Sequence, residues 1–269
     1  MSPIILVALG LFAGLIAGLM GIGGGIVFTP VLYFMFDHAG IENPVQWSVA
    51  SGLLCTFVTA SSSSIRQVLN KNIYVKESIM LGVFGGIGVT LGKLVLTSGY
   101  YNREQFAVVF SLLLFYVAFM MFRKGKSKVE ELPVDEAILN VKAAFLSGGI
   151  GGFVASLAGI GGGGIKVSIM NIGFKIPFIK SVSISHLGMT IMIATGLIQL
   201  ALSDVPTSGI SDYTIGYIDF GAAMPLAAGG LFGAYAGAYL NPKLPRRILQ
   251  WSFALLAVVM GSRLLLSVF

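Results

Sequence analysis

The chain has 269 residues, 56% of them hydrophobic and only 10% charged, with a mean hydropathy of +0.90 and a formal net charge of +6. A soluble domain carries about 25% charged residues, so this composition excludes an ordinary soluble enzyme or binding module and points to a polytopic membrane protein. The sequence pI near 9.4 would suit nucleic acid, but the basic residues fall in short loops between apolar stretches, where topology accounts for them and no nucleic-acid partner is expected.

Uncharged or nearly uncharged stretches run at about 3–36, 45–65, 78–96, 105–122, 143–174, 181–203, 220–240 and 249–269. Roughly 20 helical residues cross about 30 Å of hydrocarbon, a length that most of these match. The first and fifth exceed 30 residues, too long for one straight crossing and too short for two. Only Met1-Ser2-Pro3 opens the first stretch, without the basic start of a secretory signal, so it reads as mature structure.

Both over-long stretches contain a glycine run: Gly21-Ile22-Gly23-Gly24-Gly25-Ile26 in the first, Gly159-Ile160-Gly161-Gly162-Gly163-Gly164-Ile165 in the fifth. Glycine is a poor helix-interior residue, so each run should break its helix at membrane depth. Broken helices there are tolerated where protein or a cavity surrounds them, and they commonly line a binding site. The runs lie about 138 residues apart, and the residues downstream of the two runs are similar. Ser51-Gly52-Leu53 with Thr56 parallels Ser185-His186-Leu187 with Thr190, and Gly85-Gly86 with Gly88 and Gly92 parallels Gly229-Gly230 with Gly233 and Gly237. The latter spacings let helices approach closely. A hydrophilic linker divides the chain into a first membrane repeat, 1–122, the linker itself, 123–142, and a second repeat, 143–269.

Loop charge orients the halves, because cytoplasmic loops are enriched in Lys and Arg. If every stretch crosses once, eight basic residues fall on one side and six on the other. If each glycine-broken stretch instead turns back to the side it entered, loops 66–76, 123–142, 173–180 and 241–248 share one side with thirteen basic residues, leaving Arg103 alone opposite. The second arrangement is the one expected. The fold class is therefore an all-α polytopic membrane protein of two inverted repeats, each a re-entrant or V-shaped helix pair plus three transmembrane helices, with a cytoplasmic linker and external termini.

A glycine break between half-helices offers backbone N–H groups and a helix N-terminus, which attract an anion. The other reading, glycines that merely permit close packing, is weakened by two copies in over-long stretches. No Gly-Lys-Ser/Thr follows and the Rossmann strand context is missing, so nucleotide hydrolysis has no support. Among the intramembrane cations, Lys93 and Arg263 lie near span ends where long side chains snorkel, whereas Lys166 stands well inside the fifth stretch. The acidic residues lie at span ends or in loops, so a bound anion is its natural counter-charge, with an aqueous vestibule as the alternative. Val27 holds the equivalent position in the first half.

Hydroxyls concentrate in the second span of each half. Most serve helix packing, but Ser51 and Ser185 come to the same level in their halves and could donate to an oxyanion. His186 is the membrane-embedded histidine, with a structural role or a proton relay as its two readings. The expected substrate site takes Gly21, Gly23, Gly24, Gly25, Ser51, Thr56, Gly159, Gly161, Gly162, Gly163, Lys166, Ser185, His186 and Thr190. No metal, cofactor or catalytic residue is expected. Cys55 is a single cysteine, the two histidines are far apart, and Ser185 and His186 point about 100° apart on a helix, so they cannot act as nucleophile and base.

The run Ala13-Gly14-Leu15-Ile16-Ala17-Gly18-Leu19-Met20-Gly21-Ile22-Gly23-Gly24-Gly25 followed by Thr29-Pro30, with the second glycine copy and the Gly-Gly-xx-Gly spacing, resembles the sulfite exporter TauE/SafE family of membrane permeases. The resemblance covers almost the whole chain. It implies a secondary transporter for small sulfur-containing or organic anions, such as sulfite or sulfonates, in the bacterial inner membrane. The family's glycine signatures fall on Gly21, Gly23, Gly24 and Gly25, and on Gly159, Gly161, Gly162 and Gly163. The second copy departs with an added Gly164, and with Ile169 where the first has Pro30. The expected partners are a small anion, the bilayer and a coupling ion, H+ or Na+; a homo-oligomer is compatible with the sequence. An anion channel and a non-transporting membrane scaffold are the alternative functions.

Overall fold

The computed structural model describes residues 3–20, 23–69, 74–124, 133, 136–205, 209–240 and 246–268. The first over-long stretch divides as expected. Helix α1 (Pro3–Met20) ends before the glycine run and α2 (Gly25–His38) starts inside it, with Gly24 as its N-cap. The fifth stretch repeats the pattern: α6 (Val141–Ala158) closes on Gly159, and the short α7 (Gly163–Ser168) starts after Gly162. Beyond the breaks, both second arms are irregular at matching places. Pro30 lies inside α2, and a π-helical turn, Ile169–Gly173, follows α7 where the first half has that proline. A proline and a π-turn each interrupt the regular hydrogen-bond ladder.

The remaining helices are α3 (Pro44–Leu69), α4 (Val75–Leu96) and α5 (Arg103–Lys124) in the first half. The second half has α8 (Phe178–Ala201), α9 (Phe220–Leu240) and α10 (Arg246–Leu266). Among the described residues, five helices are long and apolar enough to cross a membrane: Pro44–Leu69, Val75–Leu96, Arg103–Met120, Val141–Ala158 and Phe178–Ala201. One addition to the all-α expectation is a small antiparallel hairpin before α9, β1 (Thr214–Ile215) with β2 (Ile218–Asp219). Linker residues 125–132 and 134–135 lie outside the described residues.

Packing exchanges partners between the halves. Helix α1 lies on α9 and α6 lies on α4, so the first helix of each half packs on the fourth of the other; α3 meets α8, and α5 meets α10. Glycines set these approaches. A Cβ at Gly229 would meet Val7 and Leu11, one at Gly233 would meet Leu11 and Leu15, and one at Gly237 would meet Leu15 and Leu19, so α1 and α9 run parallel. Gly148 meets Leu81 and Gly85, Gly152 meets Gly85, and Gly92 meets Phe153 and Ser156, so α6 and α4 also run parallel.

These registers show where each broken pair begins and ends. Gln46, near the start of α3, donates to the carbonyls of Leu96 and Tyr101 at 3.0 and 3.3 Å, and Arg103 pairs with Asp37 at 2.8 Å. The backbone N–H of Asp219, just before α9, donates to Ser51 Oγ of α3 at 3.1 Å. The end of α2 and the starts of α3, α5 and α9 thus share one end of the bundle, and α1, parallel to α9, starts there too. At the opposite end lie the starts of α4, α6 and α8, tied by Lys180 Nζ to Glu77 at 3.6 Å and by a 4.4 Å cation–π contact with Tyr74. In the loop after α4, burial raises the Tyr101 phenol above its ordinary value, and it stays a neutral donor to Leu157 O at 3.1 Å.

The packing predicts a sharp contrast between neighbouring glycines of α6. Gly152→Val drives a branched side chain into the backbone of Gly85 and should cost about 1–3 kcal/mol. Gly149→Ala, whose Cβ position is open, adds helix propensity without a clash and should raise stability by about 0.5–1 kcal/mol. Thermal denaturation in detergent measures both, and equal midpoints would contradict the α4–α6 contact.

Candidate functional site

The two glycine breaks meet. A Cβ added to Gly25 would lie 2.5 Å from Ile160 Cα, 2.6 Å from Gly159 O and 2.7 Å from Thr56 Oγ1, so only a glycine allows this approach. Gly23 and Gly24 have φ of 90° and 79°, and Gly159, Gly161 and Gly162 have φ of 66°, 67° and 64°, values that residues with a Cβ rarely adopt. Gly163 is buried at the first position of α7. Gly21 lies outside the described residues.

Breaking a helix leaves carbonyls without their usual donors, and threonines supply replacements. Thr29 Oγ1 of α2 donates to Gly159 O across the two breaks at 3.0 Å, and Thr59 Oγ1 of α3 donates to Gly23 O at 2.9 Å. Thr56 Oγ1 donates to Gly52 O at 2.8 Å, and its methyl group lies near the Cβ positions of both Gly23 and Gly161. Met189 of α8 fills the other side of the junction. Its Sδ lies 3.2 Å from the Cβ position of Gly23 and 2.5 Å from that of Gly161. The structure therefore brings Gly23, Gly24, Gly25, Thr56, Gly159 and Gly161 into one junction.

Lys166 sits beside that junction, fully buried on α7. Its stem takes the space a Cβ would need at Gly151, and its amino group lies 3.8 Å from Met192 Sδ. The ion pairs among the described residues, Arg103–Asp37 and Lys180–Glu77, do not include it. An ammonium in such surroundings is stable only with a compensating group, so a small anion suits the place.

Ser51 and Ser185 do not play equal parts. Ser51 Oγ accepts from the backbone of Asp219 at the bundle end. Asp219 is itself fully buried; its carboxylate accepts from Ser211 Oγ at 2.6 Å, from Ser211 N at 3.0 Å and from Ala222 N at 3.0 Å, capping α9. Ser51 thus anchors the hairpin instead of facing the glycine breaks. Ser185, only 2% exposed, has a hydroxyl with no hydrogen-bond partner. It precedes Met189 and Met192 by one and two helical turns, so all three share a face of α8. His186 is 3% exposed, and its carbonyl accepts from Thr190 Oγ1 at 3.2 Å. Thr190 in turn lies 3.2 Å from Ser64 Oγ of α3.

Sequence reading missed Thr29, Met189 and Met192. Thr29 carried a signal, since it adjoins Pro30 within the motif; the methionines carried none, because methionine is an ordinary core filler.

A family model described as sulfite exporter TauE/SafE matches residues 6–264. The chain belongs to this family. The resemblance drawn from the doubled glycine motif is thereby borne out. The chain is 27% identical over 285 residues to the probable membrane transporter protein YunE of Bacillus subtilis, covering 98% of each chain. It is 29% identical over 264 residues to a probable membrane transporter protein of Methanocaldococcus jannaschii, covering 97% of this chain and 95% of that one. A probable membrane transporter protein of Haemophilus influenzae is 28% identical over 274 residues, with 96% of each chain covered. Family and helices together make this a multi-pass membrane protein.

Gly161→Ala tests the junction. It places a methyl at a φ of 67° and against Met189 Sδ, and should lower stability by about 1–3 kcal/mol. Gly40→Ala, with a φ of 71° but open space around it, should cost about 1–2 kcal/mol from the backbone alone. If thermal denaturation finds Gly161→Ala the less damaging of the two, the packed junction is wrong.

Proposed function

We propose that the protein is a secondary transporter that moves a small sulfur-containing or organic anion across a bacterial inner membrane by alternating access. The observation that carries this reading is Lys166, fully buried beside two glycine breaks and excluded from the ion pairs of the described residues. The relatives' names, which give them as probable membrane transporters, support it.

In this reading the anion binds near the glycine junction, with Lys166 supplying charge and Ser185 a neutral donor. Gly25 now abuts Gly159 and Ile160, so the two halves must separate there to receive it. Rocking of one half against the other opens the site alternately to each side, coupled to H+ or Na+. The halves form inverted repeats with the linker cytoplasmic. Two observations support this: the first broken pair begins and ends at the bundle end opposite to the second, and the thirteen basic residues gather in loops of the second pair's end.

Two experiments test the proposal. Lys166→Ala in proteoliposomes should cut saturable flux of the transported anion at least about thirtyfold while the protein stays folded, as expected when a buried charge loses its partner; unchanged flux removes Lys166 from the site. Single cysteines placed at positions 72, 126 and 244 in a Cys55→Ala background should react with impermeant reagent from the cytoplasmic side. External labelling of any one would overturn the inverted topology.

A further inference from the structure

The contact between Lys166 and Met192 is built, not incidental. Lys166 Cγ takes the space of a Cβ at Gly151 of α6, with Cδ 2.9 Å from that position. Met192 uses a second glycine in the same way: its Sδ, Cγ and Cβ lie 2.8, 2.9 and 3.2 Å from the Cβ position of Gly85 on α4. Two glycines, one from each half, thus open a slot in which the amino group and the thioether meet end to end at 3.8 Å. A plain packing role needs no such arrangement, since a leucine would fill the space beside Gly85.

A thioether is a weak acceptor on a flexible chain. It satisfies an amine N–H better than hydrocarbon does, yet yields readily to an oxyanion. The Ser185 hydroxyl, two turns earlier on the same face, has no partner, so Met192 does not occupy it and it stays available as a donor. The first half has Val27 at the position of Lys166, so this pairing belongs to the second half alone. The titratable groups on the packed helices are His186 and Lys180 on α8, Glu77, Lys76 and Lys93 on α4, and Lys142 on α6. Lys180 and Glu77 are occupied with each other at the bundle end.

We propose that Met192 is a positioning residue of the anion site: its thioether holds the Lys166 amino group while no anion is bound, and so permits the empty carrier to return. This rests on the reading of Lys166 as the anion-binding charge. Anion exchange returns the carrier loaded, whereas net efflux needs the empty return, so Met192 governs the ratio of the two.

The test compares wild type, Met192→Leu and Met192→Gln in proteoliposomes, with labelled sulfite, thiosulfate and methanesulfonate as probes and rates normalised to folded protein. Leu keeps the bulk and removes the acceptor; the ratio of net efflux to exchange should fall about fivefold, the scale of one hydrogen bond. Gln supplies a carbonyl oxygen at similar reach and should restore that ratio, which a merely structural role would not do, since an amide is the worse apolar filler. An unchanged ratio in Met192→Leu, or Gln no better than Leu, overturns the role of Met192 while leaving the transporter reading in place. Wild-type protein that moves none of the three anions saturably overturns the sulfur-anion reading and the role of Met192 with it.

Discussion

Two interrupted helices can meet at membrane depth only if the carbonyls freed by each break find donors, and the rest of this structure depends on how that is done. Thr29 and Thr59 donate to Gly159 O and Gly23 O. Thr29 belongs to the first broken pair and Gly159 to the second, so the second break is satisfied from the other half. An unsatisfied carbonyl in hydrocarbon costs several kcal/mol, which makes the contact between the halves a condition of the fold. The approach at Gly25 then excludes any side chain, and the positive φ angles of the runs exclude any residue but glycine at low cost.

The same junction explains the exchange of partners. With the breaks meeting centrally, each first helix lies along the fourth helix of the other half, α1 on α9 and α6 on α4, and the glycine stripes of α4 and α9 serve that approach. The two halves depart from this near symmetry at the residues of the proposed site. Val27 and Lys166 are equivalent by position, but only the second brings a buried charge to the junction. Ser51 anchors a hairpin while Ser185 remains without a partner. The proposed anion site therefore draws its charge and its free hydroxyl from the second half.

Much of this was legible in the sequence because the features concerned are anomalies against an apolar background. Glycine runs in over-long stretches marked both breaks to within a few residues, and a lone lysine inside a span marked the charged element. Partner choice was not legible: the spacing of Gly85, Gly88 and Gly92 says that something comes close, not that it is α6. The hairpin escaped because strands of two residues carry no alternation, and Asp219 therefore looked like a loop acid although it is fully buried as a helix cap. Met189 and Met192 escaped because their roles depend on which glycines face them.

The most direct measurement is anomalous diffraction from crystals of the protein grown with selenite, the pyramidal heavy-atom analogue of sulfite. The account predicts a selenium peak within hydrogen-bond reach of Lys166 Nζ, beside Ser185 and the glycine junction. A well-occupied peak only among the basic residues of the loops, with the surroundings of Lys166 unchanged, would contradict it.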